Sequence, residues 1–431
     1  MSSEKIIKIN TPALTRVEGE GALDLVIKNQ EITELKLRIF EPPRFFEKFL
    51  EGREYPEVID IVARVCGICP VAYQMSAVEA LEQIFNLEIN DWTHNMRRLH
   101  YCGEWIQSHA LHIHLLALPD FLGFQEAISM SKKHPLEVER GFNLQKLGNE
   151  LVGFQGGRSV HPVGVQVGGF FNSPSIEQAQ SLAKKVSEQI PQAQDLINWL
   201  ATIEVPEVNQ DFISVALSHP EEYPMIARRI VTSDGLDIDI SEFDQHFKEK
   251  HIPHSTALHA YYKDKPYLVG PIARLNLHQD KLPAETKAIL DQLDIKFPSQ
   301  NIYHSMLARA IEIHAALIEA KQLLAQYQPA EQSATEVSIK AGIGFGASEA
   351  PRGMLWHTYQ VDDNGLVKAA RLVPPTSQNQ AQMEHDIAVS LTNLGLDKPA
   401  DIIQFEAERV IRNYDPCISC ATHFLKVKIN R

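Results

Sequence analysis

Apolar and polar positions alternate where the chain opens. Ala22, Leu23, Leu25 and Ile27, followed by Ile32, Leu35, Leu37 and Ile39, recur near period two and predict two strands joined near 28–31. The period then lengthens. Beyond Glu54, with Pro56 suited to a first helical turn, Val58, Ile61, Val62 and Val65 share one helical face that runs into a first cysteine pair. Pro70 permits a new helix through VAYQMSAVEALEQIF, and Asn90 and Asp91 are caps for a long helix from Trp92 to about Leu118. Apolar and aromatic side chains surround that helix and few charges follow Arg98, so it is expected to be central and buried. Further helices are expected at about 175–203, 281–293, 303–326, 380–395 and 399–412. The Gly-rich stretches 153–169 and 342–353 read as irregular backbone packed near something important, and 327–335 as a polar linker. The pattern predicts a mainly α chain with small β elements, an α+β fold.

Composition narrows the function classes. Of 431 residues, 44% are hydrophobic and 22% charged, which is ordinary for a globular protein. No stretch approaches the roughly 18 apolar residues a bilayer span needs, so no direct membrane insertion is expected. The formal charge of −14 argues against a polyanionic partner such as nucleic acid. The start, MSSEKIIKINTPAL, lacks the basic and apolar runs of a secretory signal, and a cytoplasmic location is the expectation.

The five cysteines, Cys66, Cys69, Cys102, Cys417 and Cys420, are too few and too odd in number for a disulfide-built protein. Four of them form two C-x-x-C units, Arg64-Val65-Cys66-Gly67-Ile68-Cys69-Pro70 and Asp415-Pro416-Cys417-Ile418-Ser419-Cys420-Ala421-Thr422-His423. That spacing lets a turn or helix start aim both sulfurs at one ion, and soft thiolates select zinc, copper, iron-sulfur centres or nickel. A structural zinc site is the plain alternative. Against it, 348 positions separate Cys69 from Cys417, whereas zinc ribbons close loops of about 15 to 20 residues in modules that lack a core. A thiol-disulfide enzyme would leave one pair unexplained.

The two units resemble the first and last signatures of nickel-iron hydrogenase large subunits, R-x-C-G-x-C and D-P-C-x-x-C-x-x-H. Thr15-Arg16-Val17-Glu18-Gly19, Arg44-Phe45-Phe46-Glu47, Glu349-Ala350-Pro351-Arg352-Gly353 and Val373-Pro374-Pro375-Thr376 add to the resemblance, in the family's order. It is strongest to the soluble multimeric cytoplasmic group. The resemblance implies that family's fold around a central helical bundle, as one catalytic domain over 1–431. Within it, 1–53 would be a β element, 54–330 the helical body and 331–431 the part with the second cysteine pair.

It also implies a catalyst of reversible heterolytic H2 cleavage at a nickel-iron centre whose iron carries CO and two cyanides. Cys66 and Cys417 would be terminal nickel ligands, and Cys69 and Cys420 would bridge nickel to iron. Four thiolates and two cyanides against two divalent metals leave a buried charge of about −2, which calls for a cation and donors nearby. Arg352 resembles the arginine that supplies the cation over the open metal face. Pro351 and Thr376 correspond to the pocket around the diatomic ligands, and Asp415 lies beside the cluster. Glu18 resembles the proton-transfer glutamate, a carboxyl whose pKa an apolar setting would raise toward working pH. Glu47, a backbone carbonyl near Leu372 and His423 would hold a magnesium or iron ion, hard oxygen ligands suiting such a cation.

Of the histidines at 94, 100, 109, 112 and 114, only His109 is expected to approach the site, and Cys102 is read as a small buried hydrophobe. Tyr73, Ser108 and Glu20 stand where many members have a histidine, an acidic residue and a histidine. With no cysteines left for clusters, the resemblance implies that electrons pass to an iron-sulfur small subunit, with further diaphorase-like or ferredoxin-like subunits. It further implies that 424–431 are removed on maturation, so that the active chain ends at His423. The rival reading is a non-catalytic relative in a larger redox complex, but the relative in respiratory complex I lacks the four cysteines that this chain keeps.

Overall fold

A computed structural model describes residues 6–422. Strands Ile6–Thr11, Gly21–Lys28 and Glu31–Ile39 form an antiparallel sheet in that order. The last two are the hairpin that the alternation predicts. Asn29 and Gln30 turn it with φ of 50° and 66°, the left-handed backbone that suits the twist of paired strands. Ile6–Thr11 is an added strand that the apolar pattern does not single out.

Helix Tyr55–Val62 opens with Glu54 and Glu57 in a reciprocal capping box and Pro56 in its first turn. Helix Pro70–Phe85 starts directly after the second cysteine. Helix Asp91–Leu111 is capped by Asn90, whose side chain accepts from the Thr93 N–H, and it is buried along most of its length. It does not run unbroken to 118. A π-helical turn, His112–Ala117, intervenes before the short helix Leu118–Phe121, and such a turn re-aims the side chains it carries.

Helix Asp91–Leu111 packs against Pro135–Gly156 and Ser305–Ala325, and the last packs against Ile176–Leu200, which makes the central bundle. The sequence pattern misses Pro135–Gly156, whose glycines and scattered charges blur its helical period. It also places the start of helix Pro375–Leu394 too late, because Pro375 occupies a first-turn position where its missing N–H costs nothing.

The stretch 342–353 is regular rather than irregular: Gly342–Ala350, Gly353–Val361 and Val367–Val373 form an antiparallel sheet. Its glycines answer a packing demand, since a Cβ on Gly344 or Gly346 would lie 2.1 Å from the Ala80 carbonyl or 2.0 Å from that of Ser76. Helix Pro70–Phe85 therefore rests its backbone on this sheet. The part read as a helical body also contains β structure, namely the sheet Val215–Ser218, Arg229–Thr232, Asp237–Asp239 and the hairpin Phe247–His251 with Leu258–Tyr262. These strands are too short to show a clear alternation.

One apolar cluster runs from Ile9 through both cysteine turns to Cys420. Among the described residues no helix is long and apolar enough to cross a membrane.

Candidate metal centre

The first cysteine turn is built into a helix start. The N–H groups of Ile68 and Cys69 point at the Cys66 sulfur, at 3.3 and 3.4 Å. Two residues on, Glu104 of the central helix accepts from the Val71 and Ala72 N–H groups at 2.6 and 3.1 Å, satisfying donors that a helix start leaves open. Burial pushes the Glu104 carboxyl well above its usual range, against the pull of those two donors. The sequence reading does not single out Glu104. Its signal is a lone acid in the otherwise uncharged stretch after Arg98.

The second turn depends on distant parts of the chain. Helix Ile418–Ala421 has four residues, too few to hold its own shape. Glu18 clamps it twice. The Glu18 carbonyl accepts from the Ile418 N–H at 3.0 Å, and its Oε2 lies 3.0 Å from the Ser419 nitrogen and 3.2 Å from the Cys417 sulfur. Thr376 Oγ1 accepts from the Cys417 N–H at 2.9 Å. The Arg44 guanidinium donates to the carbonyls of Val65, at 2.7 Å, and Ser419, and so joins the two turns. Gly19 adopts φ of 89°, and a Cβ there would lie 2.7 Å from that of Ile418. Arg16 anchors the same segment on Asp120 and on the Leu116 carbonyl, the latter at 2.6 Å.

All four motif cysteines are buried and free, with one sulfur from each within 4.8 Å of the others. The separations are 3.4 Å for Cys66 and Cys417, 3.8 Å for Cys69 and Cys420, and 2.8 Å for Cys417 and Cys420. Hydrogen bonds from Cys417, Cys420 and Cys69 pull the Cys66 thiol well below its ordinary range, while burial pushes Cys417 well above. Four soft donors converging on one buried point can share negative charge only with a cation, which fits a thiolate-bound metal centre. Cys102 lies elsewhere, fully buried among apolar side chains, as expected.

Beside the sulfurs, Arg352 Nε donates to the Asp415 carbonyl at 2.7 Å and Nη2 to its carboxylate at 3.0 Å. Against the cost of burial, Asp415 and the sulfurs of Cys417, Cys69 and Cys66 hold the guanidinium firmly charged. Its Nη1 is buried with no hydrogen-bond partner among the described residues, a donor left for a group that is not part of the chain. Arg309 approaches the other Asp415 oxygen at 3.4 Å. Although burial works against it, Asp415 is held below the usual carboxylate range by Arg352, His112 and Arg309. Behind them Arg274 bridges Glu312, at 2.7 Å, and Glu349, at 2.9 Å. Three guanidiniums and three carboxylates thus interleave in the core, of which the sequence singles out only Arg352 and Asp415 as site residues.

His109 touches this network through Glu312, at 2.9 Å, and Arg309, at 3.3 Å, and Arg309 links it to Asp415. The π-helical turn seats His112 on the Arg412 carbonyl at 2.8 Å, and burial lowers its pKa to about 3. The Pro351 carbonyl accepts from Arg274 at 3.2 Å. Glu47 and Leu372 are brought together, and the Leu372 N–H donates to Glu47 Oε1 at 2.8 Å. His423 and the segment 424–431 lie outside the described residues. Glu18 is half-buried, a wetter setting than the apolar one expected for it. Tyr73 lies against the sulfurs, and burial, then Cys420, Cys69 and Cys417, push its phenol well above the ordinary range. Ser108 Oγ is buried without a partner among the described residues, and Glu20 is exposed.

The chain is similar to known proteins in sequence and in fold. The sequence matches the family described as nickel-dependent hydrogenase over residues 44–141 and 241–423. It is 33% identical to the alpha chain of sulfhydrogenase 2 from Pyrococcus furiosus, across 97% of this chain and 100% of that one. It is 30% identical to a subunit of the F420-non-reducing hydrogenase of Methanothermobacter thermautotrophicus, across 97% and 95%. The fold superposes on a crystal structure of an NAD+-reducing [NiFe]-hydrogenase in the H2-reduced state with a TM-score of 0.88 at 27% identity, covering 97% of this chain and 99% of that one. The chain therefore belongs to the nickel-dependent hydrogenases: it is a large subunit of that family, an oxidoreductase built around a nickel-iron centre.

Proposed function

We propose that this protein catalyses the reversible heterolytic cleavage of H2 to protons and electrons, at a centre whose iron carries CO and two cyanides. When bound, that centre supplies the Lewis acidity and the redox couple. Cys66, Cys69, Cys417 and Cys420 would hold it, with Cys66 and Cys417 as the terminal nickel ligands and Cys69 and Cys420 as the ones shared with iron. The observation that carries the reading is the 3.2 Å approach of Glu18 Oε2 to the Cys417 sulfur inside a four-thiol cage. A proton accepted at that sulfur has a carboxylate within hydrogen-bond reach, and the half-buried Glu18 can pass it outward. Arg352, oriented by Asp415, would offer its Nη1, which has no partner among the described residues, to the bound centre or its substrate. Pro351 and Thr376 would line the pocket of the diatomic ligands, and His109 steadies Arg309 behind Asp415.

Glu47, a backbone carbonyl near Leu372 and His423 would hold a magnesium or iron ion, and the mature chain would end at His423. Electrons leave to an iron-sulfur small subunit, then to diaphorase-like or ferredoxin-like subunits, within a cytoplasmic complex. Two facts support this: four of the five cysteines are committed to the cage, and the relatives above are each named as one subunit of a hydrogenase. Metal analysis with infrared spectroscopy of the purified complex tests the reading. Nickel with iron plus CO and cyanide stretches is the expected result, and a cage holding zinc without nickel would sink it. Intact mass spectrometry tests the chain end, which a retained 424–431 segment would refute.

A further inference from the structure

Away from the thiol cage, a second group of ligating side chains sits between the hairpin Phe247–His251 with Leu258–Tyr262 and helix Pro375–Leu394. His254 lies in the loop of that hairpin, His259 on its second strand and Glu384 on the helix. One ligand atom from each of the three lies within 4.8 Å of the other two. His254 Nε2 is 2.8 Å from Glu384 Oε1, and the two imidazole rings stand nearly perpendicular, at 82°, with centroids 5.9 Å apart.

A histidine-carboxylate hydrogen bond would account for His254 and Glu384 but leaves His259 unexplained. His259 is 1% exposed, and its Nε2 is buried with no hydrogen-bond partner among the described residues. Burial, with His254 as a smaller cause, lowers its pKa to about 4, so the imidazole is neutral and has a lone pair to give. The Leu37 N–H donates to Glu384 Oε1 at 2.8 Å and fixes the carboxylate, as an outer partner does for a metal ligand.

We propose that His254, His259 and Glu384 form a second metal site, for a zinc-class divalent cation, separate from the thiol cage and from the Glu47 and Leu372 pair. Two imidazoles and one carboxylate suit such a borderline ion, whereas magnesium and calcium prefer all-oxygen sets. Three protein ligands leave a fourth tetrahedral position. Side-chain exposures of 18% for His254 and 19% for Glu384 put that position within reach of water. Tetrahedral zinc with bonds of about 2.0 Å needs ligand atoms roughly 3.3 Å apart, so binding would replace the 2.8 Å hydrogen bond between His254 and Glu384 and part the two atoms slightly.

The group lies behind the second cysteine turn. Between the two histidines, Thr256 donates from Oγ1 to the carbonyls of Ile39 and Glu41, both at 3.0 Å, and Ala257 packs with Ile39, Ile418 and Ala421. The helix bearing Glu384 also bears Thr376, which holds the Cys417 N–H. The ion would clamp together two elements that support the turn.

The test uses the purified complex, washed with chelator, dialysed against buffered zinc and assayed for zinc and nickel in the same sample. One zinc per chain is expected in the parent. His259→Ala and Glu384→Gln should each weaken zinc uptake by at least about tenfold while nickel is retained. Glu384→Gln keeps the volume and an acceptor for Leu37, so its nickel content also reports that the fold is intact. X-ray absorption at the zinc edge should show imidazole scattering. No uptake by the parent, uptake unchanged in both variants, or zinc surrounded by sulfur would each overturn the proposal.

Discussion

Cys69 stands at the head of a helix of 16 residues, whereas Cys417 stands at the head of a helix of four. The first turn receives its hydrogen bonds from its own N–H groups and is seated by Glu104 on the neighbouring helix. The second is assembled from Glu18, Arg44 and Thr376, each supplied by a different part of the chain. Equal spacing thus conceals unequal support. The first turn is formed largely by local structure, while the second exists only when the rest of the fold is in place, and it is the one beside which Glu18 sits.

The largest effect should come from the second turn itself. Cys417→Ser removes a sulfur that lies 2.8 Å from Cys420 and 3.4 Å from Cys66, and nickel content and H2 oxidation should both fall to background. A variant with normal nickel and full activity would contradict the ligand assignment. Next is Glu18→Gln, which keeps an acceptor for the Ser419 N–H and so should keep the metals. Turnover should nevertheless fall by about 10²- to 10⁴-fold, the usual worth of a positioned proton carrier. H2 consumption at the parent rate, with parent nickel, would show that protons leave by another path.

On the first turn the same logic predicts a loss of stability more than of chemistry. Glu104→Ala would strand the Val71 and Ala72 N–H groups in the core and open a cavity, at a cost of about 2–4 kcal/mol. Glu104→Gln, which keeps an acceptor, should recover most of it. Thermal unfolding of the parent and both variants checks this, and an alanine variant melting with the parent would mean that the helix start holds itself.

The same contrast sets what can be read in the sequence. Cys66 and Cys69 announce themselves by spacing and by the helix that Pro70 permits, and the hairpin around Asn29 by its alternation. Both signals are local. The partners of the second turn also lie in recognisable motifs, yet nothing in the order of residues says that Arg44 reaches across to Ser419 or that Arg309 meets Asp415. Those contacts span 375 and 106 positions and are set by packing alone. Glycine misleads for a related reason. Gly344 and Gly346 read as loop because glycine weakens strands, but here they let helix Pro70–Phe85 lie directly on the strand. Arg274 and Glu312 stay hidden because single charges in helical stretches ordinarily face water, and only the packed core shows them paired.

The smallest effect expected is also the most discriminating, because it separates holding the second turn from tuning its metals. Thr376 Oγ1 accepts from the Cys417 N–H at 2.9 Å, so its own hydroxyl proton remains free for another acceptor. If that acceptor is a cyanide on the iron, Thr376→Val should do two things at once. It should cost about 1–2 kcal/mol by stranding the buried Cys417 N–H, and it should shift a cyanide stretch in the infrared spectrum. Thr376→Ser retains the hydroxyl and should leave both near the parent values. A valine variant that loses stability with cyanide bands unmoved would assign Thr376 to the backbone of the turn alone, and bands that move equally in the serine variant would point to the lost methyl group rather than to the hydrogen bond.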